Sequence, residues 1–359
     1  MKQKILLFLI IIITLSAGCS NGLPEYDRDV WLYSIDSSGN LNWNRCIDCS
    51  SMQTANSLLE DKNGNYIIGG SGISEHIPDA LIPEIVWVSP KGELIEKKYY
   101  GTKVDGGVTT LSNDTRGNIF AVCYSGKSLI LDETGAPVHI ISINATEPGG
   151  WVSLNTQEGY AAASRTEAFA ISDNGTLLWH TIFQENETPS IRPWFIMNHD
   201  GNYVIASPYT YENENYILLA ELDNEGTIMR KNIFPNLGIQ DSGIYFMQQK
   251  KNGDYEFTGN CSIFSVDKNG ENLSVIPGET INYSRHYWNS GKCYAESVTG
   301  SESLFGREDN QIRLITKDSA GDIILDKYYK AGNFYDRISD VIETSEKGYA
   351  ILVRHETYE

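Results

Sequence analysis

The chain has 359 residues, with 47 acidic and 28 basic side chains, and its formal net charge at pH 7 is −19. A surface of this sign repels phosphate backbones, which disfavours a general nucleic-acid-binding role. Length alone suggests two domains, but a single all-β domain can reach this size.

The first nineteen residues read MKQKILLFLIIIITLSAGC, with two lysines before an apolar run and small residues before Cys19. This order is typical of a secretory signal, and its end resembles bacterial lipoprotein signals. That resemblance implies a lipoprotein signal peptide over residues 1–19, whose removal leaves Cys19 as the new N-terminus, lipidated for example with palmitate, followed by a short tether over residues 20–29. Removal takes away two lysines and no acids, so −19 becomes −21. An uncleaved anchor helix is the alternative.

The expected location is the bacterial cell envelope, with the membrane reached through the N-terminal lipid. Ser20, which follows the lipidated cysteine, favours the outer membrane. The other cysteines are Cys46, Cys49, Cys123, Cys261 and Cys293, an odd number that leaves at least one thiol free or paired outside the chain. Cys46 and Cys49 have redox-motif spacing but follow a strand, so a structural disulfide or two inert thiols are favoured over a redox or metal site.

Two hairpin patterns alternate along the chain. The first has an apolar strand, an Asp or Ser near a turn glycine, and a second strand, as in VWLYSIDSSGNLNWNRCI (30–47). Its turn glycines are Gly39, Gly92, Gly135, Gly175, Gly226, Gly270 and Gly321. The second has a polar turn that ends in glycine, often with Tyr shortly after it. It occurs around Gly64, Gly117, Gly159, Gly201, Gly253, Gly291 and Gly348. Asn and Asp before glycine suit tight hairpins.

Gly39 and Gly321 are 282 residues and six repeats apart, an average of 47 residues. Each unit is therefore four short strands, which is one blade of a β-propeller. We predict an all-β, seven-bladed β-propeller of four-stranded antiparallel blades over residues 30–356. Because the chain starts with one hairpin type and ends with the other, the hairpin 30–47 should join the hairpin 335–356 in one blade and close the ring.

These hairpins resemble the pyrroloquinoline-quinone-type and WD-repeat-like propellers of bacterial lipoproteins. The resemblance covers nearly all of residues 30–356 and implies fold more than activity. It includes the propeller lipoprotein of the outer-membrane β-barrel assembly machinery, which has eight blades. A quinoprotein dehydrogenase is disfavoured because those enzymes also have eight blades and an adjacent cysteine pair is lacking here.

Several motifs have a structural interpretation. Trp43 and Trp179 each stand four residues after a turn glycine, which predicts packing between blades. The Asp-x-x-Gly turns offer few oxygen ligands each, so hairpin chemistry is favoured over calcium binding. The stretch LLEDKNGNYIIGGSG (58–72) has glycines beside an apolar strand, but we expect a hairpin turn at Gly64 and glycines where the next strand ends, with the following hairpin beginning at Ile85, rather than a phosphate loop.

A ligand site is expected where the loop before each innermost strand opens on the axial channel. The candidate ligand-binding residues there are Trp151, Arg192, Trp194, Tyr245, Arg285, His286 and Arg337. Aromatic faces with a few charges suit a glycan, a peptide or a partner loop. No catalytic residue, metal site or cofactor is predicted from the motifs.

The favoured function is a non-enzymatic, lipid-anchored propeller that binds or scaffolds an envelope protein or glycan through a face or the channel. The alternative is a carbohydrate-active hydrolase or lyase on the same fold. An enzyme predicts carboxylates, His or Arg that converge in the channel with perturbed pKa values. A scaffold predicts an exposed apolar or aromatic patch on a face or the rim.

Overall fold

The structure of the protein is a computed structural model. It describes residues 27–47, 52–74, 80–146, 148–183, 193–211, 214–235, 246–258, 262–277, 286–289, 293–298, 311–317, 323–330 and 335–357. Within these ranges almost all regular structure is β-strand, and a 3₁₀ turn spans Lys103–Asp105. No helix in the described part of the chain is long and apolar enough to cross a membrane.

The strands are short, as expected for one antiparallel meander per repeat. In chain order they are β1 (Asp27–Ile35), β2 (Leu41–Cys46), β3 (Met52–Glu60), β4 (Tyr66–Ile73), β5 (Leu81–Val88), β6 (Leu94–Tyr99), β7 (Val108–Asn113), β8 (Ile119–Cys123), β9 (Lys127–Leu131), β10 (Pro137–Ser142), β11 (Val152–Asn155), β12 (Gly159–Ala163), β13 (Glu167–Ser172), β14 (Leu177–Ile182), β15 (Trp194–Met197), β16 (Tyr203–Tyr211), β17 (Glu214–Leu222), β18 (Ile228–Pro235), β19 (Phe246–Gln249), β20 (Tyr255–Thr258), β21 (Ser262–Val266), β22 (Ser274–Pro277), β23 (His286–Asn289), β24 (Cys293–Val298), β25 (Gln311–Lys317), β26 (Ile323–Lys330), β27 (Tyr335–Glu343) and β28 (Tyr349–Thr357).

These strands form seven four-stranded antiparallel sheets, which confirms the predicted blades. Blade 1 has the order β27-β28-β1-β2, so the first and last hairpins share one sheet. Blades 2 to 7 follow in chain order, from β3–β6 to β23–β26. In blade 1, β1 pairs with β28 from Asp27 opposite Thr357, so the strand begins three residues before the hairpin predicted at residue 30.

The first strand of each blade lies innermost. Contacts run from β3 to β7, β11, β15, β19, β23, β27 and back to β3. Each blade then proceeds outward to a fourth strand at the rim. The second and third strands are covered by blades on both sides, and β8 and β12 are accordingly almost continuously buried. The fourth strands face solvent and carry exposed residues, as in β6.

The hydrophobic core is divided among the seams between neighbouring blades. Among the described residues, six clusters of buried side chains lie at the seams of blades 1 and 2, 2 and 3, 3 and 4, 4 and 5, 5 and 6, and 7 and 1. Blades 1 to 5 therefore each depend on both neighbours for burial of their faces, which is why a single repeat could not fold alone.

The hairpin turns use their acidic side chains to hold the backbone. One carboxylate oxygen of Asp36 accepts the N–H groups of Ser38 and Asn40 at 2.9 and 2.8 Å. Asp132, Asp223 and Asp267 bind their own turns in the same way. Among the described residues no group of three or more His, Cys, Asp or Glu is placed to hold a metal ion. Hairpin chemistry explains these aspartates.

Tryptophans on the outer strands pack on the next blade, as predicted. The indole N–H of Trp43 donates to the Pro90 carbonyl at 3.0 Å. The indole of Trp179 donates to Asn224 at 3.0 Å. A Cβ at Gly226 would lie within 2.5 Å of the Trp179 ring. Glycine at this turn therefore permits both the positive φ of residue 226 and the close approach of the Trp179 ring from the neighbouring blade.

The recurring tyrosines of the second hairpin type join neighbouring blades near the turns. The hydroxyl of Tyr160 donates to the Asp114 carboxylate at 3.0 Å across the seam of blades 3 and 4. Tyr255 accepts from Asn198 at 3.1 Å across the seam of blades 5 and 6. In blade 3 the equivalent position is Ile119, which lines a small crevice beside the turn of blade 2.

The glycines of residues 69–72 correct one sequence-based expectation. They do not lie where a strand ends, because β4 continues through them to Ile73, and Ile85 lies inside β5. A Cβ at Gly70 would be 1.8 Å from the Thr54 carbonyl oxygen, and one at Gly69 would be 2.8 Å from Val108 of blade 3. The innermost strand β3 is bulged here. These glycines therefore admit a bulged neighbour and an adjacent blade at close range.

Candidate functional site

The antiparallel meander gives the disc two different faces. The described turns between first and second strands and between third and fourth strands lie on one, which we call the turn face. The other, the loop face, carries the connections between blades and the loops between second and third strands. Of the candidate ligand residues predicted from sequence, Trp151 directly precedes and Trp194 begins an innermost strand, so both lie at the loop-face end of their blades.

The structure describes only some of those candidates. The side chain of Trp151 is fully buried at the seam of blades 3 and 4, where its ring meets Phe169 edge-on at 5.2 Å. It therefore presents no surface to a ligand. Trp194 begins β15 and packs partly buried against the seam of blades 5 and 6. His286 and Arg337 lie in β23 and β27, whose side chains at these positions are outside the description. Arg192, Tyr245 and Arg285 lie outside the described residues, as does the lipidation site Cys19.

The cysteines are placed in part. Cys46 at the end of β2 is in a disulfide, and its pairing with Cys49 stays a prediction because Cys49 lies outside the described residues. Cys123 is free and buried. Burial, with a further contribution from the nearby Asp105 charge, raises the pKa of Cys123 to about 12. The thiol is protonated at neutral pH, which argues against a nucleophilic role.

Three segments of the loop face are joined by backbone hydrogen bonds. We call residues 101–107, 124–127 and 144–151 the loop platform, of which all but residue 147 are described. Tyr124 N–H donates to Gly107 at 2.9 Å, and Ser125 N–H donates to the Asp105 carbonyl at 3.1 Å. Gly149 N–H donates to the Tyr124 carbonyl at 2.9 Å. The middle segment thus ties together the loops that lead into blades 3 and 4.

A buried carboxylate holds the first of these loops. One oxygen of Asp105 accepts the N–H and hydroxyl of Thr102 at 2.6 and 3.0 Å and lies 3.1 Å from the Lys127 ammonium. Burial by itself would raise the pKa of Asp105, but the Thr102 N–H, the Lys127 ammonium and the Thr102 hydroxyl outweigh it and lower the pKa below 3.8. Asp105 is therefore ionised at neutral pH and acts as a brace for the 3₁₀ turn.

The braced turn carries an apolar side chain into solvent. Val104 is 84% exposed, although it sits between the bonded residues Thr102 and Asp105. Tyr124 in the adjacent segment is 39% exposed. A Cβ at Gly106 would be 2.7 Å from the Tyr124 Cβ, so the turn and the tyrosine are in close contact. Val104, Lys103 and Tyr124 are exposed side chains of the platform, together with Thr102, Asn144, Thr146 and Pro148.

The second loop has an equivalent brace. The carboxylate of Glu167 is fully buried; one oxygen accepts the N–H and hydroxyl of Thr146 at 2.9 and 3.1 Å, and the other lies 2.7 Å from His180 Nε2. Lys127 and Glu167 occupy the same repeat position, each eight residues before a turn glycine. Sequence reasoning missed them, although a charged residue in an otherwise apolar strand at a fixed repeat position was a readable signal.

Comparison with known proteins supports the fold. No protein-family model matches the sequence, and no curated protein matches it significantly. Among solved structures, the periplasmic gluconolactonase PpgL of Pseudomonas aeruginosa matches with 13% identity and a TM-score of 0.53, over 86% of this chain and 97% of that one. The Pan2 WD40 domain of Neurospora crassa matches with 10% identity and a TM-score of 0.52, over 85% and 90% of the two chains.

Identities this low show the fold alone, and both neighbours are β-propellers. The more specific resemblance to pyrroloquinoline-quinone-type and lipoprotein propellers stays a prediction. The chain is an all-β propeller of seven four-stranded blades, with a braced loop platform on the described part of its loop face.

Proposed function

We propose that the chain is a non-enzymatic, lipid-anchored propeller of the bacterial cell envelope that binds a protein partner through the loop platform. The observation that carries this proposal is the exposure of Val104 on a turn held by Asp105. An exposed apolar side chain on a free loop would relax toward the surface. A braced one is already ordered, so binding loses less conformational entropy there.

The exposed residues of the platform suit a protein. Val104 supplies an apolar contact, Tyr124 an aromatic ring with a hydroxyl, and Lys103 a positive charge at the edge. This combination of a small apolar centre, an aromatic residue and a polar rim is common at protein interfaces. WD40-type propellers among the structural neighbours are consistent with a scaffold role.

The location in this proposal rests on the first nineteen residues, with Cys19 as the lipidated residue and the outer membrane as the expected site. The partner would then be an envelope protein. An envelope glycan is the competing ligand, and a carbohydrate-active hydrolase or lyase is the competing activity. Two of the buried carboxylates that the structure describes, Asp105 and Glu167, are engaged in bracing loops.

Site-specific photo-crosslinking in cells that express the full chain tests the proposal. A photoreactive residue at position 104 should crosslink to a defined envelope protein, whereas one at Lys91, exposed in a hairpin turn on the turn face, should not. Tyr124→Ala should weaken the crosslink from position 104 and leave the fold intact, as checked by circular dichroism.

Two results would overturn the proposal. One is the same crosslinking pattern from positions 104 and 91, which would indicate random encounter. The other is turnover of polysaccharides or sugar lactones by the purified protein, which would make it an enzyme. Binding to an immobilised glycan array through position 104 would replace the protein partner by a glycan.

A further inference from the structure

The rim of the disc is formed by the fourth strands, and each ends its sheet there. Such edges offer backbone hydrogen-bonding groups to other chains, and proteins commonly protect them with charges, prolines or short strands. In the described strands, β2, β6, β18 and β26 each contain Lys or Arg, and β22 is four residues long and ends at Pro277. Strand β10 begins with Pro137.

Strand β14 has none of these three protections, although its pairing with β13 is bulged near the start of the strand. Its sequence, LLWHTI, contains no Lys, Arg, Asp, Glu or Pro. Leu178 and Ile182 are each 44% exposed. Ile182 lies on the same side of the strand as His180, because side chains alternate, whereas Leu178 lies at a bulge, where the register of β14 against β13 shifts. We call residues 177–182 the β14 edge.

The backbone of the β14 edge is oriented for pairing. Phe183 N–H donates inward to the Thr166 carbonyl at 2.9 Å. In an antiparallel pair the inward and outward groups alternate along the strand, so the N–H and C=O of His180 and Ile182 point away from β13. At Ile182 the outward groups and an exposed apolar side chain therefore belong to the same residue.

We propose that the β14 edge accepts an extended segment of a partner protein by strand addition, and that this segment combines alternating apolar residues with basic residues at its ends. This rests on the proposed binding function and names a second contact for it. The extended form follows from the backbone groups, and the apolar residues from Leu178 and Ile182. The basic residues follow from charge, because the chain carries −19; the exposed Asp173 in the turn that leads into β14 is already paired with Arg116 and adds nothing to this argument. A second copy of the chain would bring the same negative charge.

The probe is a synthetic peptide of alternating valine and threonine with lysines at both ends, titrated into the full chain. Ile182→Pro tests strand addition, because proline removes an outward N–H and leaves the β13 pairing intact. The matched control is Ile233→Pro in β18, since Ile233 and Ile182 both stand seven residues after a turn glycine. Ile182→Pro should weaken peptide binding at least about tenfold, whereas Ile233→Pro should leave it unchanged.

If Ile182→Pro unfolds the protein, the pair Ile182→Lys and Ile233→Lys replaces it with the same expectations. Equal binding by both members of a pair, or none to wild type up to about 1 mM peptide, would overturn the proposal. Concentration-dependent dimerisation that Ile182→Pro abolishes would make the occupant a second copy instead. If Ile182→Pro leaves both peptide binding and the crosslink from position 104 unchanged, only the proposal for the β14 edge is overturned. If wild type gives no specific crosslink from position 104, the proposed binding function itself is overturned.

Discussion

Replacing Asp105 by asparagine should loosen the loop platform without unfolding the propeller. The amide is close in shape to the carboxylate, but it cannot accept the Thr102 N–H, the Thr102 hydroxyl and the Lys127 ammonium as an anion does. Hydrogen bonds to charged groups contribute about 1.5–3 kcal/mol each, and an asparagine that keeps part of them should lose about 1.5 kcal/mol of local stability. The seams between blades do not involve this carboxylate.

Amide hydrogen exchange of the full chain measures this effect. The Thr102 N–H should exchange about tenfold faster in Asp105→Asn, because 1.4 kcal/mol corresponds to a factor of ten in the opening equilibrium. Ser125, which donates to the Asp105 carbonyl, should follow. The matched control is Asp173→Asn, an exposed carboxylate whose ion pair with Arg116 is also exposed and should be worth less than about 1 kcal/mol.

The same carboxylate predicts an acid dependence. Because the pKa of Asp105 in the folded protein is below 3.8, its contribution to stability is complete above about pH 4 and is lost as the pH falls through the folded pKa. Protection of Thr102, corrected for intrinsic exchange, should therefore fall in acid for wild type and stay low in Asp105→Asn. Wild-type protection of Thr102 in Asp105→Asn at neutral pH would refute the idea that Asp105 holds the turn.

Further predictions concern the seams and turns. Tyr160→Phe removes a bond to the ionised Asp114 and should lower the free energy of unfolding by about 1–2 kcal/mol, measured by urea denaturation. Hydrogen bonds from Arg116, Asn118 and Tyr160 outweigh the effect of burial and lower the pKa of Asp114 to about 2. The stabilisation should therefore be complete above about pH 4 and fade as the pH falls toward 2. An acid titration of the free energy of unfolding that shows the same sensitivity in Asp114→Asn would contradict this prediction. Ile119→Tyr should supply the missing seam tyrosine of blade 3 and fill the crevice beside Asp61. It should raise the free energy of unfolding by about 1 kcal/mol. A decrease in that free energy would mean that the crevice cannot hold the tyrosine ring. Lys347 has a φ of 65°, a backbone conformation for which the equivalent turns use glycine. Lys347→Gly should therefore raise the midpoint of urea unfolding, because it relieves about 1 kcal/mol of backbone strain. Lys91→Gly is the control, because Lys91 lies in a turn but does not have a positive φ.

The repeat pattern was sufficient to predict the fold. Turn glycines at regular spacing, Asp or Asn before them and alternating apolar strands determine hairpins locally, since the turn geometry depends on a few neighbouring residues. Seven copies of the four-stranded unit then favour radial packing, in which each sheet covers the face of its neighbour. The tryptophans also followed from the pattern, because Trp43 and Trp179 occupy the same repeat position and meet the same feature of the next blade.

The loop face was predicted less well. Trp151 was grouped with ligand residues because it precedes an innermost strand, but its side chain folds back into the seam of blades 3 and 4. Position in a loop does not determine the direction of a side chain, which depends on the space that neighbouring blades leave. The loop platform was missed because Asp105, Lys127 and Tyr124 are brought together from separate segments.

The sequence by itself determined the strands, the turns, the number of blades and the pairing of the first hairpin with the last, because these depend on local periodicity and on its repetition. Only the tertiary structure decided that the glycines of β4 admit a bulged strand and that Val104 stands in solvent on a braced turn. It also showed that β14 is an edge without charges among edges that mostly have them. These properties depend on what lies opposite each residue across a seam or beyond the rim, and the order of residues along the chain does not specify that.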